Sequence, residues 1–161
     1  MVTVRVRRAR PDEAGGLTRL MHELSAYQGE YASIIDGYEV APDYIAQNPV
    51  YLAEAEGDGA LLGFYGLLLE PPELDLMFVA DRAQGLGVGR RLVDHMLHRA
   101  HDAGADHVRV VSHPPAEQFY VRMGAVRVAV LPPQPPKVTW ERPELRFTVG
   151  GAATAQSTST A

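Results

Sequence analysis

Along the first thirty residues two spacings follow one another. Val2, Val4 and Val6 alternate with Thr3 and Arg5, which predicts a strand over Val2–Val6. Leu17, Leu20, Met21 and Leu24 then recur at the helical spacing, after an opening Pro11-Asp12-Glu13 whose acids suit the positive end of a helix. Gln28 to Val40 is polar, aromatic and unperiodic and reads as loop; Ala41-Pro42-Asp43 starts a short second helix reaching about Gln47. Val50–Ala55 and Ala60–Leu69 read as strands joined by Gly57-Asp58-Gly59. Pro71-Pro72 breaks the chain, and Leu74–Val79 is the next strand. Leu92, Val93, Met96, Leu97 and Ala100 stripe a long helix from Gly87 to about Ala103, which Gly104 ends. Val108–Val111 (strand), Pro114–Met123 (short helix closed by Gly124), Val126–Leu131 (strand) and one or two strand segments in Lys137–Val149 complete the pattern. The order β-α-α-β-β-β-α-β-α-β-β predicts an α/β chain with a mixed sheet and helices on both faces.

The 161 residues suit one domain, expected over residues 1–149. Residues 150–161 are small and polar and are expected to form a disordered tail. There is no Cys, which excludes disulfides, thiolate metal sites and a Cys nucleophile. No apolar run is long enough for a transmembrane helix and the N-terminus is not a secretory signal, so the expected location is cytoplasmic, without a membrane partner. The net charge of −5 argues against nucleic acid as a partner. That charge is segregated. Leu20 to Asp81 holds twelve acidic residues and no Lys or Arg, which leaves the remainder at +7. Such a field selects ligands by sign, or else the acids only solvate the surface.

Chemistry concentrates in one segment. The strand Leu74–Val79 runs into Gln84-Gly85-Leu86-Gly87-Val88-Gly89 and then into the long helix. Glycines let a ligand approach the backbone, and a helix N-terminus offers free N–H groups, so the segment suits a phosphate. Arg90 and Arg91 in the first turn oppose the helix dipole, a cost that a bound phosphate would offset. The nucleotide-triphosphatase loop needs Gly-Lys-Ser/Thr, and the dinucleotide fingerprint needs G-x-G-x-x-G at a first strand; neither is present.

This segment resembles the Gln/Arg-x-x-Gly-x-Gly/Ala signature of the GNAT superfamily of acyl-CoA-dependent N-acetyltransferases. A second stretch, Ala116-Glu117-Gln118-Phe119-Tyr120-Val121-Arg122-Met123-Gly124-Ala125, is similar to that family's A-x-x-F-Y-x-x-x-G-F segment. The resemblance implies a splayed mixed sheet and direct transfer of acetyl from acetyl-CoA to an amine, a small molecule or a peptide, with no metal. It implies that Gln84, Gly85, Leu86, Gly87, Val88, Gly89 and Arg90 hold the cofactor pyrophosphate, largely through backbone N–H groups. Met77, Phe78 and Val79 would pair with its pantetheine arm, and an N–H at Val79 would polarise the thioester carbonyl. Tyr120 would protonate the departing thiolate, a step that needs its acidity tuned towards that of a thiol. Glu73, with Asp75 on the same strand face, is the candidate base. The chain departs from the family pattern at Asp81, at His113 where Asn is frequent, and at Ala125. Dimers are common among look-alikes, so a homodimer is a candidate assembly. The alternatives are a weakly catalytic acyl-CoA sensor of the same fold and a nucleotide-phosphate enzyme.

The remaining clusters read as structural. His95, His98 and His101 drift around one helix and do not converge on a metal. Asp94 and His98 read as an exposed pair, the arginines at 5, 7, 8 and 10 as the face of an edge strand, and Trp140 as packing.

Overall fold

Two glycines on one strand show which helices cover which side of the sheet. In the computed structural model, which describes residues 3–149, a Cβ at Gly63 would meet Leu92, and a Cβ at Gly66 would meet Tyr44. Residues three apart on a strand point to opposite faces. The helix carrying Leu92 and the helix carrying Tyr44 therefore flank the sheet from opposite sides. The elements are β1 (Val4–Arg8), α1 (Ala14–His22), α2 (Pro42–Gln47), β2 (Val50–Ala55), β3 (Leu61–Leu69), β4 (Pro72–Val79), α3 (Val88–Asp102), β5 (His107–Val111), α4 (Glu117–Arg122), β6 (Val126–Leu131) and β7 (Arg142–Thr148). The seven strands form one mixed sheet in the order β1-β2-β3-β4-β5-β7-β6.

The sheet splays at its centre. β4 and β5 are parallel and share one registered pair, Glu73 with Arg109. Beyond that pair the β4 edge is open towards β5. Ala80 donates its N–H to Leu62 of the β3 side at 2.8 Å. Backbone groups alternate along a strand, so Phe78 also faces β3, and the N–H and C=O groups of Met77 and Val79 face the opening. The Gln84 side chain reaches into that space and donates to the Val79 carbonyl at 3.2 Å.

The core explains the boundaries. Leu17, Leu20, Met21 and Leu24 are all buried, and α3 buries Val88, Leu92, Val93, Met96 and Ala100. Pro71 follows a cis peptide bond within a turn, and the strand resumes at Pro72, two residues before the expected start. The unperiodic stretch after α1 is not open loop: Ser25–Tyr27 and Gly29–Ile34 wind into 3₁₀ turns. β1 is an edge strand, and its Arg5 and Arg7 both bond the buried carboxylate of Glu54 on β2. The other edge, β6, leaves Val126, Val128 and Val130 exposed. The expected tail and Val2 lie outside the described residues.

Candidate active site

Asp81, Arg82 and Ala83 form a 3₁₀ turn that carries the chain from β4 to α3. Gly85 and Gly87 then adopt φ of 82° and 78°, which L side chains rarely take, and Gly87 caps α3 without a side-chain bond. None of the backbone N–H groups of Gly85, Gly87, Val88, Gly89 and Arg90 has a protein partner among the described residues. Five free donors around the start of a fifteen-residue helix form a cradle for an anion. The pyrophosphate of an acyl-CoA fits it, because no Cβ of Gly85 or Gly87 would meet neighbouring atoms.

Three members of the motif behave differently from expectation. The Gln84 N–H is taken by the Asp81 carbonyl at 3.1 Å, so Gln84 offers its side chain and not its backbone. Leu86 is 50% exposed and stands outside the cleft lining. Gly89 makes room for a side chain: a Cβ there would lie 3.0 Å from the Phe119 ring. Arg91 also turns away, donating to the Val4 carbonyl at 2.6 Å. Arg90 remains on the cleft, joined by Arg122 of α4, which the sequence did not single out; neither has an acidic partner among the described residues.

The cleft has a volume of about 500 Å³ and runs from the cradle along Met77, Phe78 and Val79 to Tyr120. A second cavity of about 200 Å³ lies beyond, between the 3₁₀ turns and β4–β5, and among the described residues Asp75 is the one acidic or basic residue on its wall besides His113. The two spaces share Tyr27, Met77, Phe78, His113 and Tyr120. A group held in one therefore meets a group held in the other at Tyr120 and His113.

Tyr120 is 7% exposed and packs edge-on to Phe119 and Phe147. Burial, helped by the nearby Tyr27, pushes its phenol well above the ordinary value, so the hydroxyl stays protonated at every working pH. That shift runs opposite to the tuning expected from the sequence: it favours hydrogen-bond donation over easy release of the proton. His113 is 8% exposed, its ring stacks on Tyr27, and its Nε2 has no hydrogen-bond partner. Burial lowers its pKa to about 4, so the imidazole is neutral.

Glu73, the expected base, is tied into an ion-pair bridge. Glu73 lines neither space; Arg109 bonds it at 3.2 Å and Glu144 at 2.9 Å, using the guanidinium as a bridge. The carboxylate on the wall of the smaller cavity is Asp75. The β3–β4 register passes over Asp75, pairing Gly66 with Leu76 and Leu67 with Leu74. Leu74 and Leu76 are buried on one face, and Asp75 between them is exposed and accepts a hydrogen bond from the Tyr44 hydroxyl at 2.8 Å. The three α3 histidines take separate roles: His95 binds the Tyr65 hydroxyl, His98 binds the Asp94 backbone carbonyl rather than its carboxylate, and His101 lies near Asp102. Among the described residues no group of three His, Asp or Glu is placed to hold a metal, and no helix is long and apolar enough to cross a membrane.

An α/β domain with a splayed sheet, an anion cradle at the splay and an aromatic hydroxyl between two cavities defines the acyl-CoA-dependent acyltransferase class. Residues 24–131 match the acetyltransferase (GNAT) domain model, and the chain belongs to that family. A mycothiol acetyltransferase of Thermomonospora curvata is 36% identical over 89 residues, 52% of this chain and 30% of that protein, so the chain spans less than a third of that relative. A 5-NmdU N-acetyltransferase of Pseudomonas phage PaMx11 is 29% identical over 128 residues, 74% of this chain and 84% of the phage protein. Among solved structures, a GCN5-related N-acetyltransferase from Rhodopseudomonas palustris superposes with TM-score 0.73 at 20% identity, over 92% of this chain and 98% of that one. The protein yncA of Salmonella typhimurium, solved with its cofactor acetyl-CoA, has TM-score 0.70 at 18% identity, over 90% of this chain and 93% of that one.

Proposed function

We propose that the chain transfers acetyl from acetyl-CoA directly to an amine, with residues 1–149 as the catalytic domain. The observation that carries this reading is the shared wall: one space ends in an anion cradle, the other contains a carboxylate, and both reach Tyr120. Gly85, Gly87, Val88, Gly89 and Arg90 hold the pyrophosphate through N–H groups, with Arg90 and Arg122 adding positive charge. The open edge at Met77 and Val79 pairs with the pantetheine amides, as an added strand would, and Phe78 walls the junction. Val79 offers its N–H to the thioester oxygen.

In the transfer the neutral amine nitrogen attacks the thioester carbon. The C–N bond forms, the C–S bond breaks, the nitrogen gives one proton to water and the sulfur gains one. Tyr120 stabilises the developing thiolate by hydrogen bonding and acts as general acid as the C–S bond breaks, regaining its proton from the water that took the amine's. No carboxylate of the described residues lies on the shared wall, and neutral His113 is too weak a base for an alkylammonium. The amine therefore arrives already neutral.

Thiol release from acetyl-CoA with a panel of amines tests the reading. Wild type releases thiol in an amine-dependent way and Tyr120→Phe does so far more slowly. If no amine releases thiol, the transfer reading fails; if the two proteins are equal, Tyr120 has no part in it.

A further inference from the structure

Most carboxylates at the sheet already have a cation. Glu54 has Arg5 and Arg7, Glu73 and Glu144 share Arg109, Glu117 has Arg127 and Glu13 has Arg7. Asp75 has none among the described residues; it accepts one hydrogen bond, from Tyr44 to Oδ2, which leaves Oδ1 free. It also differs in place: it stands exposed, at a bulge, on the wall of a cavity whose other lining residues are apolar or aromatic apart from Ser112, among them Met21, Ile34, Ile35 and Tyr38. The acidity of Tyr38 is weakened by burial and by the Asp75 charge, so Tyr38 stays neutral and adds no competing charge. Burying the apolar part of a ligand there, while leaving Asp75 as the one ionised side chain, gives the cavity a demand for positive charge at one end only.

We propose that Asp75 selects the acceptor, and that the cavity takes a small straight-chain amine with an apolar middle and a second positive charge, which Asp75 holds. The inference rests on the acetyl-transfer reading, since the reacting amine is the one placed at the shared wall. Asp75 precedes Phe78 by three residues on β4, so the two ends of the cavity are about 10 Å apart along the strand. A diamine of five or six carbons spans that distance once the reach of the carboxylate is allowed for. An aminocarboxylate of the same length would set two carboxylates against each other. A peptide N-terminus without a basic side chain lacks the second charge.

Calorimetry and thiol release on the full chain loaded with CoA, using diaminopentane, pentylamine and aminopentanoate as probes, decide the matter. Wild type transfers to diaminopentane with a kcat/KM about 10-fold or more above that for pentylamine, because pentylamine with its single ammonium on Asp75 leaves no nitrogen at the shared wall. Aminopentanoate binds weakest. Asp75→Asn keeps an oxygen for the Tyr44 hydroxyl and brings diaminopentane to within about 2-fold of pentylamine. Tyr44→Phe, which frees the carboxylate to rotate, reduces the preference without abolishing it. The inference is overturned if Asp75→Asn leaves the preference intact, if aminopentanoate binds as well as diaminopentane, or if no diamine binds. Thiol release on the same samples separates the two readings. Transfer to pentylamine without a diamine preference sinks Asp75 alone, and tight diamine binding without thiol release from any amine sinks the transfer.

Discussion

Tyr27 lies flat against His113, ring centroids 4.5 Å apart, and its hydroxyl sits 3.3 Å from Nδ1. The pair joins the 3₁₀ turn after α1 to the end of β5, across the junction of the two cavities. It also buries an imidazole that cannot accept a proton cheaply. The folded pKa of about 4 lies below the ordinary 6.5, so acid protonates the unfolded chain first. Stability is full above pH 6.5 and falls as pH drops towards 4. The loss from this group is about 2 kcal/mol once solvent at the cleft is allowed for. Urea unfolding of wild type and His113→Gln at pH 7 and pH 4.5 checks this. The wild type loses more stability between the two; equal losses would place the acid sensitivity elsewhere.

Tyr120→Phe removes a hydroxyl and little else, because the ring is held by Phe119 and Phe147. Turnover falls about 100-fold, the low end of what a positioned general acid contributes, while KM for acetyl-CoA stays within about 2-fold. Steady-state thiol release measures both. A large rise in KM with unchanged turnover would make Tyr120 a binding residue.

The order of elements, the sheet class and the cradle were legible because they rest on local signals. β2 and β6 begin and end at the predicted residues, and α3 buries Leu92, Val93, Met96 and Ala100 of the predicted stripe, with Leu97 half-buried. What was not legible is long-range. Glu73 looked available only because Arg109 lies 36 residues away in sequence and becomes its neighbour through the β4–β5 pairing. The bulge at Asp75 has no local turn residue to announce it; it follows from the β3 register. Tyr27, Tyr38 and His113 sit in stretches without periodicity, and nothing short of tertiary packing brings them together.

Gly87 and Gly89 are alike in the motif and opposite in consequence. Gly87→Ala forces a side chain into φ 78° with nothing crowding it, so the cost is backbone strain of about 1 kcal/mol and a weaker hold on CoA. Gly89→Ala keeps a helical backbone but meets the Phe119 ring at 3.0 Å, and Phe119 packs on Tyr120 at 5.2 Å. It therefore lowers turnover more than it lowers CoA affinity. Thermal unfolding, CoA titration and turnover on both variants give the two signatures; identical signatures would show that both glycines serve the cradle alone.

Arg90 and Arg122 border the cleft without acidic partners among the described residues, so their charge is available to an anionic ligand. Each change to Ala weakens CoA binding about 3- to 10-fold at low salt. The difference shrinks as salt screens exposed charges over a Debye length of about 10 Å at 0.1 M. Affinities measured at two salt concentrations test it. A loss that ignores salt would mean that packing, and not charge, had been removed. Arg91→Ala serves as the contrast, since its guanidinium is spent on Val4 and its loss registers in stability and not in CoA affinity.

The absence of a base at the junction shapes the pH dependence. If the acceptor arrives neutral, kcat/KM rises tenfold per pH unit through neutrality and levels near the acceptor's own amine pKa, about 10 for an alkylamine. His113 adds no break near 6.5, because its imidazole is already neutral above about 4. Tyr27 adds none either, since burial lifts its phenol to about 12. The decisive comparison uses two acceptors of different basicity on the same enzyme. The plateau moves to lower pH with the less basic amine when ionisation of the acceptor controls the rate. A plateau fixed near pH 7 for both amines, and shifted by His113→Gln, would instead make His113 the proton acceptor and overturn the assignment.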